Sequence, residues 1–384
     1  MLVDFIKLLM FWICRAFFCI FYIFPIKNNR IAFISYKGSQ YSCNPKAVSE
    51  YILSNYPDKF DIIWGLDNPE TYDGIINKNV HVIKHGTMKF YKYLLTSKII
   101  VTNVDYLSYV RFRKGQYIVQ TWHGGGSYKK VGNCTKNVSK LVLKRRSYFN
   151  LRTDAFISSS ATFTNDTILG SFSYKGRIVN SGMPRNDILF TENNEKAKQI
   201  KQKIGVPEDA KILIYAPTYR QIIKYTDYLL DEKRLKHSLE ERFGGNWVIL
   251  YRLHPMLKCS FDSESHDVIN VSDYNDMQEL LWVSDILMTD YSSSMWDFSL
   301  TYKPCFLFAT DLKEYQNERD FYSDIHTWPF ILAENNDELN EKILSYNDEE
   351  YRQAVKKYHE DMGSYEKGSA CKQITDIIMS ECGK

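Results

Sequence analysis

The sequence predicts an α/β chain of two doubly wound, Rossmann-like lobes, and three observations lead there. Strand-length apolar runs alternate with helix-length segments from residue 30 onward. A polar stretch, residues 191–210, breaks the alternation, which then restarts. At 384 residues the chain is long enough for two lobes of ordinary size.

In the first half, strands are predicted at 30–35, 60–65, 80–84, 98–103, 116–121 and 154–159, with helices at 44–55 and 88–96. These runs are continuously apolar, as expected of parallel strands covered on both faces. The second set falls at 211–217, 246–252, 267–272, 285–290 and 304–309, and the chain from about 337 to its end is polar and helical in pattern. The expected division is a hydrophobic helix at 1–28, a first lobe at 29–190, a linker at 191–210 and a second lobe at 211–384 that includes the C-terminal helices.

Composition narrows the function. Apolar residues make up 44% of the chain, enough for a real core, and the net charge of +3 gives no sign of a general nucleic-acid binder. The eight cysteines are scattered without a Cys-x-x-Cys pair, and no Cys/His cluster forms, so neither a disulfide framework nor a metal site is expected. No cofactor is implied: there is no phosphate-binding G-x-x-x-x-G-K-[ST] string, and no G-x-G-x-x-G follows the early strands. Residues 8–26 are almost wholly apolar, interrupted only by Arg15. They read as a membrane anchor, either a marginal span or a helix lying in the interface, with Lys7, Arg15, Lys27 and Arg30 meeting headgroups and the rest of the chain on the cytoplasmic side. A buried core helix is the alternative.

Five segments carry chemistry, and four of them directly follow a predicted strand, where ligands bind in doubly wound folds. In "QTWHGGGSYKK", His123 leaves the strand end with the pKa range of a general base, and Gly124 and its two glycine neighbours let the backbone approach a ligand. The alternative is a core histidine beside a flexible turn. In "NSGMPRNDILF", Arg185 is either a phosphate ligand or a strut paired with Asp187. "YAPTYR" offers Thr218 and Arg220, and "YRLHP" offers Arg252 and His254, as donors to phosphate oxygens, with surface capping as the alternative. In "DILMTDYSSSMWDF", Ser292 and Ser293 open a helix as an anion site, with a plain N-cap role for one of them as the alternative, while Asp290 is read as an orienting or structural carboxylate.

In this order the set resembles the CDP-glycerol glycerophosphotransferase family over roughly residues 30–330, through "SCNPKAVSEYI", "QTWHG", "GMPRND", "APTYR", "RLHP" and "TDYSS". The resemblance implies a GT-B-like fold with its active site in the cleft, a CDP-polyol donor in the C-terminal lobe, and an N-terminal lobe facing acceptor and membrane. It makes His123 the candidate base and His254 a second essential histidine. Ser292 and Ser293 would hold the donor phosphates, with Thr218, Arg220 and Arg252 in the same segments. Two departures stand out: Gly125, Gly126 and Ser127 replace the family's usual Thr-Pro-Leu, and Asp320 replaces the glycine of "RGFY". The implied activity is transfer of a polyol phosphate, glycerol phosphate foremost, from its CDP-linked donor to an acceptor hydroxyl on a lipid-linked or polymeric acceptor, in teichoic acid or capsule synthesis. A glycosyltransferase of the same architecture and a non-catalytic polymer-binding subunit are the rival readings. The basic run from Lys129 to Arg146 offers a track for a polyanion or for the inner leaflet, or else a solvated helix face.

Overall fold

The computed structural model describes residues 2–105, 107–135, 138–218, 230–253 and 267–384. The chain forms two compact units. One comprises Met1–His123, Val131–Asp187 and Tyr365–Lys384, and the other Gly124–Lys130 and Ile188–Ser364.

The first unit holds β1 (Lys27–Ile34), β2 (Asp61–Leu66), β3 (His81–Lys84), β4 (Ser97–Thr102), β5 (Tyr117–Gln120), β6 (Ala155–Ser158) and β7 (Arg177–Asn180). They pair in the order β3-β2-β1-β4-β5-β6-β7, all parallel. The second unit holds β8 (Lys211–Tyr215), β9 (Trp247–Tyr251), β10 (Val268–Asn270), β11 (Ile286–Thr289), β12 (Cys305–Phe308) and β13 (Ile331–Ala333). Its order, β10-β9-β8-β11-β12-β13, is again parallel throughout. Both sheets start in the middle, run out to one side, and return to the other. The strand order therefore reverses between β1 and β4 and between β8 and β11, and the crevice at such a crossover is where doubly wound folds bind ligands.

The continuous apolar strands have a direct cause. Ile31 and Phe33 of β1 enter one core of the first unit, and Ala32 and Ile34 enter the core on the opposite face. Alternate side chains point to opposite faces of a strand, so both positions of the alternation must be apolar. Two strands, β7 and β13, escaped the sequence reading. Each is a short sheet edge, β7 without a fully buried residue and β13 with only Ala333 buried, so neither carries the continuous apolar signal.

The units also divide differently from the expected boundaries. The helix Asn194–Lys203 lies inside the stretch read as a linker, yet its Ile200 belongs to the core of the second unit. The C-terminal helix Ala370–Cys382, expected in the second lobe, belongs to the first. Ile374 and Ile378 are fully buried in the same core as Val48 and Ile52 of the helix Cys43–Asn55. An apolar pair spaced i, i+4 reveals a buried face but not which core receives it.

The N-terminal segment is a helix, Leu2–Phe17, followed by a 3₁₀ stretch, Phe18–Ile23. Among the described residues no helix is long and apolar enough to cross a membrane. Phe11, Phe18 and Phe21 are buried, whereas Leu9, Met10, Trp12, Ile13, Phe17 and Ile20 are exposed. Two of the cations expected to meet headgroups are occupied elsewhere. Arg15 donates to the carbonyls of Ser108 and Val110. Arg30 is buried against Asp61, with Nε and Nη2 at 2.8 and 2.7 Å from Oδ2, and also reaches Thr96. Long basic side chains fold back wherever carbonyls or carboxylates would otherwise lack a donor.

Ile378→Ala should destabilise the first unit by about 2–5 kcal/mol, the usual cost of emptying a fully buried aliphatic site. Urea unfolding followed by a first-unit probe would check this, and a loss confined to the second unit would contradict the placement of the C-terminal helix.

Candidate active site

The first unit builds its site around a histidine at the sheet crossover. The chain leaves β5 with the Thr121 N–H bonded to the Thr102 carbonyl at 2.8 Å, and then turns through Trp122 in the left-handed region (φ 52°). His123 follows, half-buried, with Nδ1 2.9 Å from the carbonyl oxygen of Asn103, the residue just past β4. A carbonyl can only accept, so this contact assigns the ring proton to Nδ1 and leaves Nε2 unprotonated, a lone pair able to accept. Burial pushes the imidazole pKa down to about 4. The Asn103 hydrogen bond opposes that shift, and the nearby Arg185 charge adds to it. The ring is therefore neutral near pH 7, as a general base must be.

Side chains from three places in the sequence hold this turn. Arg185, itself buried, donates from Nη1 to the His123 carbonyl at 2.6 Å and lies 3.3 Å from Cys43 Sγ. Asn44 donates to the carbonyls of Trp122 and Thr121 at 3.0 and 3.2 Å and accepts from the Arg185 backbone N–H at 3.0 Å. Tyr36, just past β1, places its ring 5.4 Å from that of His123, and its N–H donates to Asn103 Oδ1 at 2.8 Å. The ends of β1, β4 and β5 thus converge on one histidine. Cys43 (φ 64°) and Trp122 (φ 52°) both adopt backbone that costs free energy in a non-glycine residue, and such strain persists only where surroundings enforce it.

Of the residues predicted near this turn, Arg185 is a strut on the histidine backbone. Asp187 accepts from the N–H groups of Ala370 and Cys371 at 3.0 and 2.7 Å and so caps the C-terminal helix, its pKa raised by burial. Trp122 packs edge-on against Phe172 at 4.6 Å. Gly124 is buried and begins the short segment counted with the second unit. Sequence reasoning missed Tyr36, Asn44 and Asn103. Asn44 lay in a quoted string with no role attached. Asn103 acts on the imidazole through its main chain, which no side-chain pattern reveals.

The second unit assembles its polar groups at its own crossover. Asp290, just past β11, accepts the Thr218 N–H at 2.9 and 3.0 Å and the Thr218 hydroxyl at 2.5 Å, and it also bonds the N–H of Tyr291. Thr289 Oγ1 donates to the Ala216 carbonyl at 2.7 Å. Asp290 thus ties the chain after β8 to the chain after β11, and the hydroxyl proton of Thr218 points at it. Ser292 Oγ accepts from the Ser294 N–H (3.3 Å) and lies 2.9 Å from the Ser294 hydroxyl, which makes it the local cap. Ser293 occupies the N-cap position of the helix Ser294–Ser299 without a side-chain capping bond, and both serines are half-buried. Arg252 Nη1 braces the carbonyls of Val271 and Tyr274 at 3.0 and 2.5 Å. Arg220 and His254 lie outside the described residues.

Two parallel sheets in Rossmann order, each with its polar groups at the crossover, define a GT-B-like α/β fold. The chain belongs to the family of CDP-Glycerol:Poly(glycerophosphate) glycerophosphotransferases, whose model matches residues 16–380. It is 30% identical over 379 residues to the teichoic acid poly(glycerol phosphate) polymerase of Bacillus spizizenii, covering 92% of this chain and 93% of that one. It is 31% identical over 366 residues to the teichoic acid glycerol-phosphate transferase of Staphylococcus aureus, covering 91% and 93%. The solved structure of the wall teichoic acid polymerase TagF superimposes with a TM-score of 0.84 at 26% identity, covering 100% of this chain and 98% of that one. The protein is accordingly an enzyme that transfers a polyol phosphate from a CDP-linked donor in teichoic acid synthesis.

Because the folded-state pKa of His123, about 4, lies below the ordinary 6.5, the kcat/KM profile should stay flat from about pH 8 to about pH 6, with its acid limb near 4. The unfolded chain takes up this proton first, so the histidine's contribution to stability falls as pH drops from 6.5 towards 4. His123→Asn should remove that share of the acid sensitivity in urea titrations. An acid limb of activity near 6.5 would contradict a His123 that is neutral and acts as the base.

Proposed function

We propose that the transferred group is glycerol phosphate, carried by CDP-glycerol, and that the acceptor is a hydroxyl on a lipid-linked or growing polymer at the cytoplasmic face of the membrane. The observation that carries this reading is the unprotonated Nε2 of a neutral His123 at the first crossover. The acceptor oxygen attacks the donor's β-phosphorus while Nε2 takes its proton. The new O–P bond forms as the bond to the bridging oxygen breaks, and CMP leaves with that oxygen and its electron pair. Such phosphoryl transfer depends on positioning and electrostatics rather than on a covalent intermediate.

In the second unit, Ser293 and Ser292 are assigned to the donor phosphates, and the Thr218–Asp290 pair to the shape of the loop after β8. Arg252 acts through the 271–274 loop that it braces. Arg220 is assigned to the same phosphates by its place past a strand, and His254, the second essential histidine by the family resemblance, to an acid/base or pyrophosphate-donor role. The choice of glycerol draws on the names of the relatives just described and on a TagF structure soaked with CDPG, which matches at 25% identity with a TM-score of 0.82.

For the membrane, two helices of the first unit offer one face. Tyr148 of the helix Lys140–Asn150 touches Phe11 and Trp12 of the N-terminal helix, with ring centroids 5.7 and 5.4 Å apart. Trp12, Ile13 and Phe17 of the N-terminal helix are exposed, as are Val142, Leu143 and Lys144 of the other helix and Leu151 just past it. Apolar side chains fringed by cations suit a helix lying in the interface of an anionic bilayer. Arg146 takes no part, since it bonds Asp105 at 2.6 Å and Asn133 at 2.9 Å.

Purified protein should release CMP from CDP-glycerol only when a polyol-phosphate primer is present, and His123→Ala should lose roughly 10²–10⁴-fold in rate while folding normally. Release of a nucleoside diphosphate from a nucleotide-sugar, with none from CDP-glycerol, would favour the glycosyltransferase reading. Independently, Ile13→Glu with Phe17→Glu should abolish sedimentation with phosphatidylglycerol vesicles without lowering the melting temperature. Unchanged sedimentation would remove the membrane assignment.

A further inference from the structure

The switch point of the first sheet leaves three strand ends with no ladder between them. The pairing of β4 ends at Thr102, opposite Ile34 of β1 and Gln120 of β5. Past that point the chains diverge. The one after β1 leads to Val48 in the core on one face of the sheet, and the one after β4 leads to Leu107 in the core on the other. Such divergence opens a crevice, and it also removes the neighbours that would hold the strand ends in place.

One side chain spans the gap. Asn103, the first residue after β4, is fully buried, and both ends of its amide are used. Oδ1 accepts the Tyr36 N–H at 2.8 Å, and Nδ2 donates to Ser35 Oγ at 3.1 Å. A backbone N–H can only donate, so Tyr36 settles which end of the amide is oxygen, and the Ser35 hydroxyl is left as the acceptor. Tyr36 (φ 44°) and Lys37 (φ 63°) both take left-handed backbone, and the amide is one of the groups that hold this turn. The carbonyl of the same asparagine accepts from His123 Nδ1 at 2.9 Å, which among the described residues is the imidazole's only hydrogen bond.

The histidine is therefore held by two separate sets of groups. Asn44 and Arg185 bind the carbonyls of Trp122 and His123, which fixes the backbone but leaves the ring free to turn. Asn103 fixes the ring. Its carbonyl takes the Nδ1 proton, and its amide holds Tyr36, whose ring stands 5.4 Å from the imidazole.

We propose that the Asn103 side chain is a positioning group for the transfer reaction: by tying the end of β4 to the turn after β1, it holds the carbonyl that keeps the His123 proton on Nδ1. The proposal rests on the reading of His123 as the base. Without the amide the carbonyl loses its anchor, and the ring is free to carry its proton on Nε2, a form that accepts nothing from a hydroxyl on that side. The net worth of one hydrogen bond corresponds to roughly a tenfold shift in such an equilibrium.

The test compares Asn103→Ala, Ser35→Ala and the double variant in two readouts. One is the His123 ¹⁵N shifts at pH 7, assigned through His123→Asn, and the other is CMP release from CDP-glycerol with a polyol-phosphate primer. Asn103→Ala keeps the carbonyl and removes only its anchor. It should move His123 towards the Nε2-protonated form and lower kcat roughly tenfold or more, with the donor KM within about twofold. Ser35→Ala should move both readouts the same way by less. The double variant should match Asn103→Ala, because the Ser35 hydroxyl acts on the histidine through the amide. An unchanged tautomer in Asn103→Ala overturns the proposal whatever the rate does, and so does a double variant in which the two tautomer shifts simply add. Should the variants lacking Asn103 fail to fold, Ser35→Ala decides: a shifted tautomer supports the proposal and an unshifted one overturns it. Full turnover in His123→Ala would remove the reading of His123 as the base, while the tautomer still decides whether Asn103 holds the ring.

Discussion

The hydrogen bond from His123 Nδ1 to the Asn103 carbonyl is the constraint on which the proposed chemistry depends. It consumes the ring's one proton on the inner side and leaves the outer nitrogen as a lone pair. That outcome needs β4 and β5 in register, since the Thr121 N–H bonds to Thr102 just before the two chains diverge. It also needs the left-handed turn at Trp122, which Asn44 and Arg185 hold through main-chain carbonyls. A neutral imidazole fixed in one tautomer loses no free energy to reorganisation when a hydroxyl arrives.

The two units solve the same problem with different groups. Each is a parallel sheet whose strand order reverses near its middle, so loops diverge there and leave room for a ligand. In the first unit the reversal carries an imidazole, and in the second it carries a carboxylate that ties the loop after β8 to the loop after β11. Asp290 does not need to touch a phosphate to matter. By holding the Thr218 backbone and hydroxyl, it shapes the loop that leads into the segment following β8.

Much of this was legible in the sequence, and what was not has identifiable causes. Central strands such as β1 and β11 were legible because burial on both faces leaves an unbroken apolar run. The edge strands β7 and β13 were not, because a half-exposed edge carries no such run. The places of His123 and Asp290, each just past a central strand, were legible because a strand end followed by a titratable residue is a recognisable pattern. Asn103 was missed because it works through a carbonyl, which every residue has. Arg185 was left between two roles because a guanidinium serves a phosphate and a buried carbonyl equally well; only its burial and its bond to the His123 carbonyl decide. The C-terminal helix was assigned to the wrong neighbour in the chain because its buried face says nothing about which core it completes.

The most direct test of the account is the tautomer of His123 at pH 7, read from its ¹⁵N shifts in histidine-labelled protein. The account predicts a neutral ring with the proton on Nδ1 and an unprotonated Nε2. A proton on Nε2, or a doubly protonated ring, would contradict it, since neither form leaves the outer nitrogen able to accept the acceptor's proton.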